Sequence, residues 1–402
     1  MCQAEDVPRF EPFRGLRYAP GAVRLDQVIA PPYDVIGSAQ RTTLAHRSAF
    51  NAVRVELPEP DLQRQLDRYH VAAALLDSWI AQRVLLLDPH PAFYPYRMTT
   101  PEGRSSIGVI GALGVDDDNV LPHEQTMPKP RSDRLDLLRA TGTNLSPIWG
   151  LSIADGLTKL IEPEGPPVGD AFDDDGVRHQ LWVLDDPSTL DALTTTVASA
   201  PVVVADGHHR YETARNYRDE VRTALGGRPG PHDLVMAFVV ELAEEQLTVG
   251  SIHRTLRGMP EGTDLPKVMG RWFDVVHAGP ASDRVIGALE TSSSLAMVTP
   301  DDAWLLTPRP ETYEAAGSDL DSSLVDLALR ELPPHELSHR HSSEEALAAV
   351  RTGEAQAALL LRPVTVDQIA EWAAARRRMP PKTSYFSPKP RTGMVFRQLE
   401  TG

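Results

Sequence analysis

Apolar positions along this chain recur with two periods, one of two residues and one near 3.6, and the switches between them mark out elements. In Asn51–Leu57, Val53, Val55 and Leu57 alternate with Arg54 and Glu56, which predicts a half-buried strand. In Asp61–Arg83, Leu62, Leu66, Tyr69, Ala73, Leu76 and Ile80 fall at spacings of three and four, which predicts an amphipathic helix. The stretches AFYPYRM and SSIGVIGALGV read as strands, and Ser132–Ala140 reads as a short helix. Phe13–Ile36 has turn-and-strand character, with Pro31 and Pro32 excluding a helix across them. Pro187–Ser199 reads as a helix and Val202–Ala205 as a strand. A helix over Tyr211–Leu225 follows, stopped by Gly226 and Gly227. Leu234–Leu242 is apolar throughout and reads as a buried strand. Further on, Ala357–Pro363 reads as a strand and VDQIAEWAAARR as a helix.

The alternation of strands and helices predicts an α/β or α+β fold with a second α/β region. A soft boundary is expected near Pro260–Asp264, giving a core over residues 1–260 and a region over 261–402 whose Lys-bearing loop returns to the core. With 402 residues and 41% hydrophobic positions, a sizeable core is available. The net charge of −16 argues against a generic nucleic-acid or membrane surface. The single cysteine, Cys2, allows no intrachain disulfide, and no apolar run reaches the ~18 residues of a membrane span. The start shows no secretory-signal pattern, so a cytoplasmic setting is expected.

Candidate chemistry gathers where the strand at Val202 meets the following helix, in the run Asp206, Gly207, His208, His209, Arg210. A helix start offers unpaired N–H groups and partial positive charge. Gly207 lets a ligand approach the backbone, and Arg210 can grip two phosphate oxygens. Asp206, at the strand's end, is a candidate magnesium ligand or proton acceptor, with His208 and His209 beside it. A plain helix cap by Asp206 is the competing reading. A second cluster holds His123, Glu124, Lys129, Arg131, Arg134 and Asn144. Its cations suit phosphate oxygens, and His123 and Glu124 are candidates for acid–base or metal work. A third, MPPKTSYFSPKP, presents Lys382 and Lys389 among prolines. His335, His339 and His341 read as a surface loop. There is no G-x-x-x-x-G-K-[ST] loop and no G-x-S-x-G elbow, and Gly108, Gly111 and Gly114 do not have the dinucleotide spacing.

The segment ADGHHRY resembles the phosphate-binding motif of the ParB/sulfiredoxin superfamily, and is nearest to the turn of the free-serine kinases. With APPYDVI, HEQTMPKPRSDRLDLLRATGTNLSPIWGL and MPPKTSYFSPKPRTGMV, the chain is identified as a member of the large bacterial and archaeal "DUF ten-fifteen" family of conserved proteins of unknown function. The resemblance implies a ParB-like mixed-sheet core that binds ATP or ADP with Mg2+, held by Asp206 with Glu124 or Glu56. It implies a phosphotransferase acting on a small hydroxyl metabolite such as free L-serine. The kinases use a glutamate near the N-terminus, a place open here to Asp34 or Glu56. Nucleotide sensing or scaffolding without transfer, using CTP or ATP, is the alternative. The Gly207–Arg210 turn, the His123–Arg134 cluster and Lys382 or Lys389 are expected to converge on one pocket, where an anionic ligand would neutralise the gathered cations.

Overall fold

The computed structural model describes residues 7–115, 119–122, 132–282, 287 and 295–399. The chain divides into two compact units: unit 1 is everything up to Leu247 plus the residues from Pro388 onward, and unit 2 is Thr248–Ser387. The architecture is α/β, as the element pattern implies, with a large mixed sheet, as the resemblance implies.

Unit 1 carries strands β1 (Phe10–Glu11), β2 (Leu16–Tyr18), β3 (Leu85–Leu87), β4 (Tyr94–Thr99), β5 (Ser105–Gly114), β6 (Val120–Pro122), β7 (Thr143–Asn144) and β8 (Ile148–Ser152). It continues with β9 (Gly169–Phe172), β10 (Arg178–Leu181), β11 (Val202–Asp206) and β12 (Leu234–Glu241). Its helices are α1 (Leu25–Val28), α2 (Ser38–Arg47), α3 (Val53–Glu56), α4 (Arg68–Ala81), α5 (Ser132–Thr141), α6 (Leu157–Leu160), α7 (Pro187–Ala198) and α8 (His208–Ala224). Among the described residues the main sheet runs β6-β11-β8-β12-β5-β4-β10-β9, with β1 on β5. β12, apolar along its length, is central: it pairs parallel with β8 and antiparallel with β5. Gly108 of β5 allows this approach, since a Cβ there would lie 2.6 Å from the Phe238 ring and the Val239 carbonyl.

One core joins the sheet residues Val204, Val235 and Val239 to Leu193 and Val197 of α7 and Tyr211 and Ala214 of α8. A second gathers Val53 and Val55 of α3, Leu76 and Trp79 of α4, Leu137 of α5 and Phe396. The strand expected over Asn51–Leu57 is therefore a helical turn. Asn51 starts it by accepting from the Val53 N–H at 3.0 Å, and its amide donates to the Gln27 carbonyl at 2.8 Å. Part of Phe13–Ile36 is likewise helical, in α1. α4 begins at Arg68 rather than Asp61 because the Asp67 carboxylate caps it, accepting from the Tyr69 and His70 N–H groups.

Unit 2 carries β13 (Thr248–Ser251), β14 (His253–Arg257), β15 (Phe273–Pro280), β16 (Leu295–Val298), β17 (Asp302–Pro308), β18 (Glu336–Arg340), β19 (Ala357–Leu360) and β20 (Ser384–Ser387). Its antiparallel sheet runs β15-β17-β16-β19-β14-β18, and β13 pairs with β20. Because β13 and β14 take their partners here, the boundary expected at Pro260–Asp264 lies inside unit 2. The chain then returns to unit 1, where β21 (Arg397–Gln398) pairs with β7.

Candidate functional site

Helix α8 starts three residues before the pattern suggested. Gly207 takes φ +85°, a left-handed conformation that suits glycine, and is the N-cap; its carbonyl accepts the first helical bond from the Tyr211 N–H at 2.9 Å. A Cβ at Gly207 would also meet the Arg210 side chain at 3.0 Å. Asp206 is not the cap. The pairing of β11 with β8 shifts between Val204 and Asp206, an irregularity that re-aims the strand's last side chain. One Asp206 oxygen accepts from Lys389 Nζ at 2.5 Å and the other from Arg210 Nη2 at 2.8 Å. Burial raises the Asp206 pKa, but the charges of Lys389 and Arg210 more than offset this and hold it below the usual carboxylate range.

The other Arg210 terminus, Nη1, donates to the Pro147 carbonyl and to Ser146 Oγ at 3.3 Å. The guanidinium fork therefore packs inward instead of standing open for a bidentate phosphate, as i,i+4 pairing with Asp206 dictates. Ser146 passes the contact on, donating to Glu56 Oε1 at 3.2 Å. Arg134, on α5, donates to the Glu56 carbonyl at 2.7 Å, lies 3.7 Å from Glu56 Oε1, and covers the Tyr33 ring at 4.6 Å. Lys389 is 4.0 Å from Asp34.

Glu56 ends α3 and is 2% exposed. Among the described residues none hydrogen-bonds its buried Oε2. Burial pushes its pKa up, partly opposed by Arg134, Arg210 and Ser146. Glu56, Arg134 and Arg210 line one pocket with a cavity volume of about 60 Å³.

Of the residues singled out in the sequence, the structure thus joins Asp34, Glu56, Arg134, Asp206, Arg210 and Lys389 in one continuous polar network. The gathered cations are neutralised by three carboxylates of the chain itself, where an anionic ligand was expected to do this. His208 lies near enough for its charge to act on Asp206, and His209 is half-buried with Nδ1 3.9 Å from Glu212. Asn144 reaches the pocket wall, but its carbonyl oxygen serves the fold, accepting from the Met236 N–H at 3.0 Å and Arg397 at 3.1 Å. Lys382 belongs to unit 2, where it is exposed. His123, Glu124, Lys129 and Arg131 lie outside the described residues. Tyr33 and Ser146 were not singled out as site residues, though both lie in the quoted segments APPYDVI and NLSPIWGL.

The described donors do not fit a magnesium site. Both Asp206 oxygens are taken by cations, and among the described residues no three His, Cys, Asp or Glu side chains converge as metal ligands. The histidines expected in a surface loop are partly in β18. His339 pairs across from Arg254 and its pKa is pushed down to about 4, first by burial and then by Arg254, Lys382 and His341. Among the described residues no helix is long and apolar enough to cross a membrane.

No curated protein matches the sequence. Among solved structures the chain is similar to a conserved hypothetical protein from Pyrococcus furiosus (13% identity, TM-score 0.37, covering 69% of this chain and 90% of that one). It is also similar to a free serine kinase in complex with AMP (12%, 0.38, 69% and 86%). A third is SbnI with a C-terminal truncation from Staphylococcus aureus (12%, 0.39, 70% and 84%). The sequence itself gives the firmer result: over residues 10–325 it matches the model described as "Protein of unknown function (DUF1015)", and the chain belongs to that family.

Proposed function

We propose that unit 1 is a phosphotransferase, moving a phosphoryl group from ATP or ADP to the hydroxyl of a small metabolite, free L-serine being one candidate. The observation that supports this best is Glu56: a carboxyl 2% exposed, one oxygen without a partner among the described residues, lining a pocket with Arg134 and Arg210. A carboxyl whose pKa is raised toward neutrality is the better general base, because it accepts a proton with more driving force while still ionised in part. That favours Glu56 over Asp206, whose pKa is held down and whose oxygens are both engaged. Phosphoryl transfer asks mainly for positioning and charge neutralisation, which the start of α8 can supply. A nucleotide donor is inferred from the DGHHR turn. In the transfer, the hydroxyl oxygen attacks the terminal phosphorus and its proton passes to Glu56. The bond to the bridging oxygen breaks, and the shortened nucleotide leaves with the electron pair.

Phosphorus NMR tests the reading. ATP or ADP is offered with pooled hydroxyl metabolites, and a new phosphomonoester signal should grow only when both are present. Glu56→Gln should slow it by about 10²–10⁴-fold, the usual loss of a positioned base, with nucleotide affinity kept. Binding of nucleotide without consumption would replace the reading with nucleotide sensing, which the closure of Asp206 by Lys389 and Arg210 favours.

A further inference from the structure

The segment APPYDVI sets one more side chain beside Glu56. Pro31 and Pro32 fix their own φ, and Ala30 is pinned by a two-way backbone bridge to Thr392, at 3.0 and 2.8 Å. The Val35 N–H then donates to the Pro32 carbonyl at 3.2 Å, closing a 3-10 turn over Tyr33–Val35. Tyr33 therefore stands on a stiff stretch of backbone. The Arg134 guanidinium covers its ring at 4.6 Å and lies 3.7 Å from Glu56 Oε1, so it holds the phenol and the carboxyl close together. Among the described residues the Tyr33 hydroxyl makes no hydrogen bond. Burial pushes its pKa up, with Arg210 and Arg134 opposing and Asp34 and Glu56 adding, so at neutral pH the phenol keeps its proton and is a donor. Glu56 Oε2 is an acceptor in the same condition. The guanidinium groups around them are engaged: Arg134 with Asp133 and the Glu56 carbonyl, Arg210 with Asp206, Ser146 and the Pro147 carbonyl. The cavity at Glu56, about 60 Å³, is well under the roughly 300 Å³ of a whole small-molecule site, so it admits only the reacting end of a ligand.

We propose that Tyr33 is a catalytic residue of this site: its hydroxyl donates to an oxygen of the phosphoryl group in transfer, while Glu56 takes the proton of the attacking hydroxyl. The proposal rests on the phosphotransferase reading for the reaction; of the ligand it asks only an anionic phosphate oxygen at Tyr33. Such an oxygen suits this phenol, because the Arg134 charge over the ring polarises it and hydrogen bonds to ionised acceptors are the strong ones. The donor is in place before reaction begins, so it costs no reorganisation as charge gathers on the phosphoryl oxygens. Tyr33 keeps its proton throughout. The attacking oxygen bonds to phosphorus, its proton goes to Glu56, and the bridging oxygen leaves with the electron pair.

Tyr33→Phe removes the hydroxyl and leaves a ring under Arg134. On the full chain, calorimetry measures binding of ADP and of adenosine, phosphorus NMR measures transfer from ATP or ADP to pooled hydroxyl metabolites, and thermal melts report the fold. The variant should melt with the wild type and bind ADP about ten- to a hundredfold more weakly, the usual worth of a hydrogen bond to a charged group. Adenosine, which has no phosphate, should not distinguish the two proteins. The kcat/KM for nucleotide should fall by at least the ADP factor, because the bond persists into the transition state. With tyrosine labelled at Cζ, ADP should shift one of the nine wild-type signals, the one missing from Tyr33→Phe. Unchanged ADP affinity and unchanged transfer in the variant would overturn the role of Tyr33 and leave the phosphotransferase reading standing. A variant melting well below the wild type would mean that the hydroxyl serves the fold, and would overturn the role as well. ADP bound by the wild type and weakened in the variant, with no transfer by either, would uphold the phosphate contact at Tyr33 and overturn the phosphotransferase reading. A wild type that neither binds ADP nor transfers would overturn both.

Discussion

Replacing Lys389 by methionine keeps most of the stem and removes the ammonium, and the cost can be worked from the geometry. Nζ lies 2.5 Å from Asp206 and 4.0 Å from Asp34, with the lysine and Asp206 side chains 10% and 20% exposed. At an effective dielectric near 20, unit charges about 4 Å apart attract by about 4 kcal/mol. Removing one partner of a buried pair typically costs about 3–5 kcal/mol, because the other charge stays buried. Arg210 remains on the second Asp206 oxygen at 2.8 Å, so the low end, about 3 kcal/mol, is expected here. Asp206→Asn should cost a similar amount from the other side, and the double variant should cost less than the sum, with a coupling of about 1–3 kcal/mol. Urea unfolding, read alongside hydrogen exchange in β11 and α8, measures this for unit 1. The pH dependence has a definite sign. The Asp206 pKa is lowered, so its stabilisation is present above the unfolded value and lost as pH falls through the folded one. The Lys389 pKa is raised, so its share is present below the unfolded value and lost as pH rises through the folded one. The wild type should therefore be flat across neutral pH and weaken at both extremes, and Lys389→Met should lose the alkaline limb. A single-variant cost within about 0.5 kcal/mol, the level of an exposed ion pair, or strict additivity in the double variant, would refute the argument.

Other outcomes follow from the same site and its supports. The acid limb of kcat/KM should lie above the ordinary carboxylate range and vanish in Glu56→Gln, since the raised pKa of Glu56 makes its basic form disappear as pH falls. In thermal melts Glu56→Gln should be as stable as wild type or more so, because it removes a buried charge. Gly207→Ala should lose about 1–3 kcal/mol in urea unfolding, from its φ of +85° and the crowding against Arg210. Tyr96→Phe should cost about 1–3 kcal/mol, since the buried hydroxyl bridges His179 Nδ1 at 2.7 Å and the Arg391 N–H at 3.1 Å. Arg210→Ala should lower the melting temperature more than it weakens nucleotide binding, because its donors serve Asp206, Ser146 and Pro147.

The sheet was legible where the pattern was strong. Leu234–Glu241 and Val202–Asp206 are strands because a run of buried apolar residues has few alternatives. Short segments were not legible by the same rule. Val53 and Val55 alternate like a strand, yet a single helical turn also buries residues two and three apart, and the Asn51 side chain selects the helix. The DGHHR run marked the right junction, but not the partners of its charges. Asp206 meets Lys389, 183 positions away, and Arg210 meets the Pro147 carbonyl. No local pattern encodes such contacts. Glu56 was singled out as a candidate, but its burial follows from packing between α3 and the second core, which periodicity does not report.

The return of the chain to unit 1 after Ser387 has a consequence for synthesis. Lys389, Arg391 and Arg397 each tie unit 1 together: Lys389 through Asp206, Arg391 through Asp173, and Arg397 through Asn144 and the Leu234 carbonyl. All three emerge from the ribosome after the whole of unit 2 has been made. At a few residues to about twenty per second, unit 2 takes many seconds to translate. For that interval Asp206 has Arg210 but lacks Lys389, and Asp173 has His179 but lacks Arg391, so unit 1 stands without these three ties. Unit 2, contiguous in sequence, can complete itself first. A chain cut between Ser387 and Pro388 should therefore retain protease-resistant unit 2 while unit 1 is readily digested, an inversion of the usual N-to-C order of folding.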